Sequence, residues 1–415
     1  MKKRFCLYSL ICTLFILLSG CAFKDKITIA AVTPQHAEVL NNLFSKEDDH
    51  RVEVLTIFED INEIGDHWND LDEFLAKKLE SNKEIDVIFG FPPEYLRGLV
   101  ENGSVMDLSK DLNSNSIAPA ILGPIREAGS GSLYAITPTF NNYVLAYNKK
   151  IFTELNIDAP KDSMTWEEVY DLTQSVQEKS NYKGISLGLP SSDEEFYYLF
   201  QILNRPVYTL ENTKGKVKLD KAMMDDYWPL FSKLYKNNDK ADQELFMQGK
   251  VAMAILPVGN LLDQNFYKDY QTTEDDLKIG LKQMPIFKEN EGGLAYSDSL
   301  FSVSKYSDSA KDSIKLLKYI QSEKFANQIL NSSLLPSYWD KEMKEKLYKK
   351  YNHDFTAVYT QPGELLEKPT VPADKYLEIE AMGASYFANY LKEPNSIEKI
   401  YSEYQNEIDS EYNSK

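Results

Sequence analysis

The sequence predicts an α/β fold divided into two lobes. Three features lead there. From residue 26 onward, short apolar runs alternate with amphipathic stretches, the rhythm of a sheet flanked by helices. The 415 residues exceed what one hydrophobic core usually organises. Finally, 43% of them are hydrophobic and 27% charged, the balance of a globular chain rather than a disordered one.

The elements follow in order. Lys26–Val32 (KITIAAV) reads as a strand, Val39–Leu43 as a helix and Arg51–Phe58 (RVEVLTIF) as a second strand. Across Trp68–Leu79, Leu71, Phe74, Leu75 and Leu79 share one helical face. Ile85–Phe89 (IDVIF) is a buried third strand that stops at Gly90, so a parallel α/β sheet is expected here. Tyr134–Thr137 and Tyr143–Asn148 read as strands on either side of Pro138–Asn142. Thr165 caps a helix through Trp166, Val169, Leu172 and Val176, with Glu168 placed to complete a capping box. Ile185–Leu189 is a strand and Glu194–Leu203 a helix. Asp242–Gln248 is a helix ahead of the buried strand Val251–Leu256 (VAMAIL). Leu300–Val303 is a strand, Ala310–Ile320 a helix, and the last 75 residues or so are mostly helical. Lys214–Lys218 and Glu289–Gly293 read as surface turns.

The N-terminus bears on destination. Lys2, Lys3 and Arg4 precede an uncharged, mostly apolar run from Phe5 to Leu18, and Leu18-Ser19-Gly20-Cys21 follows. A basic start, an apolar middle and small residues at a cut describe a secretory signal peptide over residues 1–20. The run is shorter than the about 20 residues that span a bilayer. Leu-Ser-Gly-Cys resembles the lipobox of bacterial lipoproteins. That likeness implies cleavage before Cys21 and a diacylglycerol on its thiol. Each buried CH₂ contributes about 0.8 kcal/mol, so two or more chains hold where one does not. Cys6 and Cys12 leave with the signal, and the lipid consumes Cys21, so no internal disulfide is expected.

The formal charge is −18, and losing Lys2, Lys3 and Arg4 with no acidic residue takes it to −21. Such a surface repels nucleic acid and anionic lipid, and no nucleic-acid partner is expected. His36, His50, His67 and His353 form no metal-type pair, and neither a phosphate loop nor a nucleophile elbow occurs. No metal or other cofactor is expected. The 64 acidic residues are too many to single out a glycosidase pair.

Four stretches in order carry a family resemblance. They are Ile85-Asp86-Val87-Ile88 with Leu99-Val100-Glu101-Asn102-Gly103 and Asp107-Leu108; Gly131–Pro138 (GSLYAITP) with Leu145–Phe152 (LAYNKKIF); Ala159-Pro160-Lys161 with Met164–Glu168 (MTWEE); and Phe246–Met253 (FMQGKVAM). Together they resemble the bacterial extracellular solute-binding proteins, the mostly carbohydrate-binding group that includes maltose-binding protein. The resemblance implies a two-lobed periplasmic-binding-protein fold, type II-like, hinged by crossing strands. Lobe 1 would comprise residues 26–140 and 302–335, and lobe 2 residues 141–301 and 345–415. Crossings are expected near Phe140–Tyr143, near Asp298–Phe301 and between Leu335 and Asn352. The resemblance further implies a monomer without enzymatic activity. It would sit on the extracytoplasmic face of the cell membrane, held through Cys21, and deliver a small solute to an ABC permease.

The expected solute is a sugar, whose apolar ring faces and hydroxyl rim call for flat aromatics and short polar side chains. Asn141 and Asn142, with Phe140 beside them, sit at the first expected crossing; two loop asparagines also suit a simple turn. Thr33 and Gln35 follow the first strand, and Phe91 and Tyr95 the third, where the family places ligand contacts. Asp193 and Phe196 open the helix after Ile185–Leu189. Asn260, Trp339 and Tyr376 complete the candidates. One departure from the family stands out. After Val251–Leu256, where carbohydrate binders often carry a tryptophan, this chain has Pro257-Val258-Gly259-Asn260. A peptide, polyamine or other solute in the same fold, and a lipid-anchored glycosidase, remain the alternative readings.

Overall fold

The structure is a computed structural model that describes residues 26–44, 52–60, 62–67, 69–187, 208–211, 216–237, 241–270, 273, 277–287, 293, 295–331, 334–365, 373–394 and 396–413. The signal segment, Trp68 and the helix expected at Glu194–Leu203 lie outside them. Among the described residues ten strands run in chain order: β1 (Ile27–Ala31), β2 (Val52–Thr56), β3 (Val87–Phe89), β4 (Tyr143–Asn148), β5 (Lys183–Ser186), β6 (Tyr208–Glu211), β7 (Lys216–Leu219), β8 (Val251–Pro257), β9 (Ile279–Gln283) and β10 (Phe301–Val303).

They form two four-stranded sheets, ordered β10-β3-β1-β2 and β5-β8-β4-β9, and a separate β6-β7 hairpin. In the first sheet β1 pairs parallel with β2 and β3, because the helices Pro34–Phe44 and Leu71–Ser81 carry the chain back each time. Leu71, Leu75 and Leu79 of the second of these helices are buried, as their spacing predicts. β1 is buried at every position, and β2, at the edge, is half-buried along most of its length. β10 enters antiparallel to β3 because it arrives from the other lobe. The all-parallel expectation therefore gives way to a mixed sheet.

The second sheet is also mixed. β8 is parallel to β5 and antiparallel to β4, which is antiparallel to β9. Leu145 and Tyr147 face a core with Trp166, Trp228, Phe231 and Phe387, while Val144 and Ala146 face a core continuous with the first lobe. A sheet buried on both faces needs an unbroken apolar strand, which is what VAMAIL supplies. The helix Trp166–Lys179 has the predicted capping box between Thr165 and Glu168. Two readings are corrected. Tyr134–Thr137 makes only an isolated bridge, Ile136 to Phe301, because Pro138 has no N–H to continue a ladder. Lys216–Lys218 lies in a strand, with Val217 and Leu219 buried and the two lysines exposed, a period-2 pattern. The outer side of β7 is occupied by side chains of the C-terminal region. Asn413 accepts from Val217 N–H (2.8 Å) and donates to its carbonyl (2.9 Å), and Gln405 accepts from Leu219 N–H (2.8 Å).

Two connections join the sheets, from β3 to β4 and from β9 to β10; a third stretch, from Leu335 onward, runs beside them, and the three are stitched to one another. Asn141 and Tyr296 exchange main-chain hydrogen bonds at 2.9 Å in both directions. Phe140 N–H donates to Leu335 (3.2 Å), and Ser337 N–H donates to Pro138 (2.8 Å). Further along, the Gln361 amide donates to Met284 O (2.9 Å) and accepts from Met284 N–H (3.0 Å). Next to it, Gly363 lies against the helix Pro119–Ala128 so closely that a Cβ would sit 2.0 Å from the Ala120 carbonyl oxygen. Only glycine fits there.

Candidate functional site

The loops that leave the C-terminal ends of parallel strands are the usual binding edge of an open α/β sheet. In the first lobe those loops are Val32–His36 after β1 and Gly90–Pro92 after β3. They touch. The His36 ring lies where a Cβ on Gly90 would come within 2.5 Å of it, and Gly90 has φ +99°, so both space and backbone demand glycine. Thr33 Oγ1 accepts from His36 N–H (3.2 Å) and lies 2.9 Å from His36 Nδ1. The second crossing closes this edge. Leu300 N–H donates to Phe91 O (3.3 Å), and Asp298 Oδ2 lies 3.6 Å from His36 Nε2. The His36 contact holds the Asp298 carboxyl below its usual range.

In the second lobe the chain leaves β8 at Pro257 and turns at once into the short helix Val258–Leu262. Val258 N–H donates to Asn142 O (2.9 Å), which brings this turn to the first crossing. Asn141 Nδ2 donates to the Tyr296 hydroxyl (2.9 Å), and the Tyr143 and Tyr296 rings are 6.5 Å apart and tilted by 32°. Burial pushes the Tyr143 phenol up to about 12, with Tyr296 adding to it. Tyr296 is 43% exposed, one of four large apolar or aromatic side chains standing out among the described residues.

The candidates divide by exposure. Gln35 is exposed, and Asn141, Asn260 and Trp339 are half-buried. Asn260 reaches toward Gln243 (3.5 Å), and Trp339 stacks on Tyr359 at 3.9 Å. Thr33, Phe91, Tyr95, Phe140 and Asn142 are buried. Asn142 ties the first crossing to the third stretch through Nδ2 to Val358 O (3.0 Å), and Phe140 packs edge-on to Tyr359. Tyr376 falls on the helix Ala373–Lys392. Asp193 and Phe196 lie outside the described residues. Sequence reasoning missed His36, Tyr143, Tyr296 and Asp298. Tyr143 adjoins the singled-out Asn142 and was within reach; Tyr296 meets Asn141 across 155 positions, with no local signal.

One more group on this edge is unusual. Glu94, half-buried in the first turn of the helix Pro93–Glu101, has its carboxyl raised by desolvation to about 7. Among the described residues no cluster of His, Cys, Asp and Glu has metal-binding geometry, and no helix is long and apolar enough to cross a membrane. The arrangement offers aromatic faces, amides and a carboxylate. It is suited to holding a polar guest.

The sequence model of the bacterial extracellular solute-binding proteins matches residues 31–327. The chain belongs to that family. Its members and structural neighbours are substrate-binding transport proteins rather than enzymes. An extracellular solute-binding protein of family 1 from Alicyclobacillus acidocaldarius superposes with a TM-score of 0.65 at 13% identity, over 93% of this chain and 98% of that one. A sugar transporter from Rhizobium etli in an open conformation gives 0.62 at 14% identity, over 92% and 98%. The sugar-binding protein MalE from Xanthomonas citri gives 0.58 at 16% identity, over 93% and 96%. At these identities the likeness establishes the fold: this solute-binding protein has the two-lobed architecture that the four motifs imply.

Proposed function

We propose that this chain is the extracytoplasmic solute-binding lipoprotein of an ABC importer, and that it closes its lobes on a carbohydrate or oligosaccharide. Lobe 1 is formed by residues 26–140 and 302–335, lobe 2 by residues 141–301 and 345–415, and the three stitched stretches act as the hinge. Closure is driven by contacts the guest makes with both lobes only in the shut form. The closed monomer then docks on its permease, while lipid on Cys21 keeps it beside the bilayer.

The observation that carries this reading is the convergence of His36, Asn141, Tyr143, Tyr296 and Asp298 where both sheets' loops meet the crossings. Aromatic faces with amide and carboxylate partners match a sugar's apolar faces and hydroxyls. The names of the structural neighbours, which include a sugar transporter and a sugar-binding MalE, point the same way. One observation favours a second reading, a non-sugar solute such as a peptide or polyamine. The turn after β8 is Pro257-Val258-Gly259-Asn260 and offers no aromatic.

A guest that binds the folded form alone stabilises it by about 2.7 kcal/mol at a hundred times its Kd. Screening di- to tetrasaccharides by thermal shift is expected to find one that raises the melting temperature. Native mass spectrometry of freshly purified protein identifies a retained guest directly. A flat response to every saccharide, with a peptide or polyamine retained instead, would overturn the sugar assignment.

A further inference from the structure

We propose that the sugar-stacking platform of this protein is Tyr296, carried on the second crossing beside Tyr143, and that its guest is a neutral sugar ring. The proposal rests on the solute-binding reading above and names the residue and ligand class within it.

A stacking platform needs an aromatic ring with one face open to solvent and its edge fixed. Tyr296 joins exposure to restraint. It is 43% exposed, although its main chain is pinned in both directions to Asn141. Its hydroxyl accepts from Asn141 Nδ2 at 2.9 Å, which fixes the ring's far end. The Tyr143 ring is its neighbour at 6.5 Å, tilted by 32°. The two phenols stay neutral at physiological pH, since burial raises both above the ordinary value.

Among the described residues, the other aromatics near the crossings are more enclosed. Phe91 and Phe140 are buried, and Trp339 has its face against Tyr359 at 3.9 Å. The turn after β8 has no aromatic to offer. On this proposal the platform is carried by the hinge itself. A ring stacked on Tyr296 has Asn141 at its edge. Residue 259, on the second lobe, comes within reach of the same amide: a Cβ on Gly259 would lie 3.9 Å from Asn141 Nδ2.

Charge narrows the class. Asp298, two residues along, is near enough to Tyr296 to raise its phenol further. Its contact with His36 keeps Asp298 ionised. A carboxylate beside the platform accepts from sugar hydroxyls and repels an anionic ring.

The test uses the mature full chain and isothermal titration with neutral di- to tetrasaccharides of glucose, galactose, xylose and arabinose, and with trigalacturonate. For the best neutral ligand, Tyr296→Ala is expected to weaken binding by tenfold or more. Tyr296→Phe, which keeps the ring and loses one hydrogen bond, is expected to cost less than fivefold, and Tyr296→Trp to keep or improve affinity. Circular dichroism and melting temperature of each variant separate lost binding from lost folding. Wild type binding a neutral sugar that Tyr296→Ala binds equally well overturns this proposal alone. Trigalacturonate binding more tightly than every neutral trisaccharide overturns the ligand class. No binding of any saccharide by the wild type overturns the sugar reading and this proposal together.

Discussion

Replacing Gln361 by alanine probes the coupling of the third stretch to the second sheet. Gln361 is 4% exposed, and its amide makes a two-way pair with the main chain of Met284, the first residue past β9. Truncation removes both bonds and strands an N–H and a carbonyl in a place water does not reach. Each buried polar group left without a partner costs about 1–3 kcal/mol, so with two such groups Gln361→Ala is expected to lose about 2–6 kcal/mol. For a lobe of this size, about 2–4 °C accompanies each kcal/mol, so the melting temperature falls by about 4–24 °C. Calorimetry is the assay. Gln361→Glu sharpens it. An ionised carboxylate can accept from Met284 N–H but faces the Met284 carbonyl oxygen with no proton to give. The protonated acid can restore both bonds. Its pKa in the folded state is therefore raised, and the stability it contributes is present at low pH and lost as pH rises. A melting temperature for Gln361→Ala within 2 °C of wild type, or a pH-independent Gln361→Glu, would show that the amide pair does not hold the two segments together.

Three further outcomes are expected. His353 is buried, with Nε2 2.7 Å from the Tyr267 hydroxyl, and desolvation, with Lys149 adding, lowers it to about 4. The unfolded chain takes the proton first, so stability is full above about 6.5 and falls by about 3 kcal/mol as pH drops to about 4; urea titrations of wild type and His353→Gln with identical pH slopes would contradict this. Glu94 has the opposite sign: its folded value near 7 lies above its unfolded one, so its contribution is complete below about 4.5 and lost as pH rises through 7. Glu94→Gln should exceed wild type by about 1–3 kcal/mol at pH 8 and match it at pH 4, and an equal difference at both values would refute the assignment. Cys21→Ala should move the protein from the membrane pellet to the soluble fraction on cell fractionation; a variant that still pellets would disprove the lipid anchor.

Much of the frame is legible before any coordinates. A capping box spans four residues, and Thr165 with Glu168 announces it locally. The helix Ala310–Ile320 has the expected limits because its apolar spacing is helical throughout. An unbroken run such as VAMAIL betrays a strand covered on both faces. Elements that depend on distant partners are harder to see. β9 (IGLKQ) contains a glycine, a lysine and a glutamine, and is a strand because β4 lies beside it. The lysines of β7 suggest a turn until their alternation with Val217 and Leu219 is weighed. The site divides the same way. Asn141 stands out as half of an amide pair at a crossing, whereas its partner Tyr296 is one tyrosine among 27. Asp298 and His36, from opposite ends of the chain's first 300 residues, become neighbours only when β10 returns to β3.

The amides of Gln405 and Asn413 stand where another strand would otherwise add to β7. A bare strand flank is a template for a neighbouring molecule. By laying Gln405 and Asn413 along the hairpin, the chain spends that template on itself, and a neighbouring copy finds Val217 and the Leu219 N–H already taken.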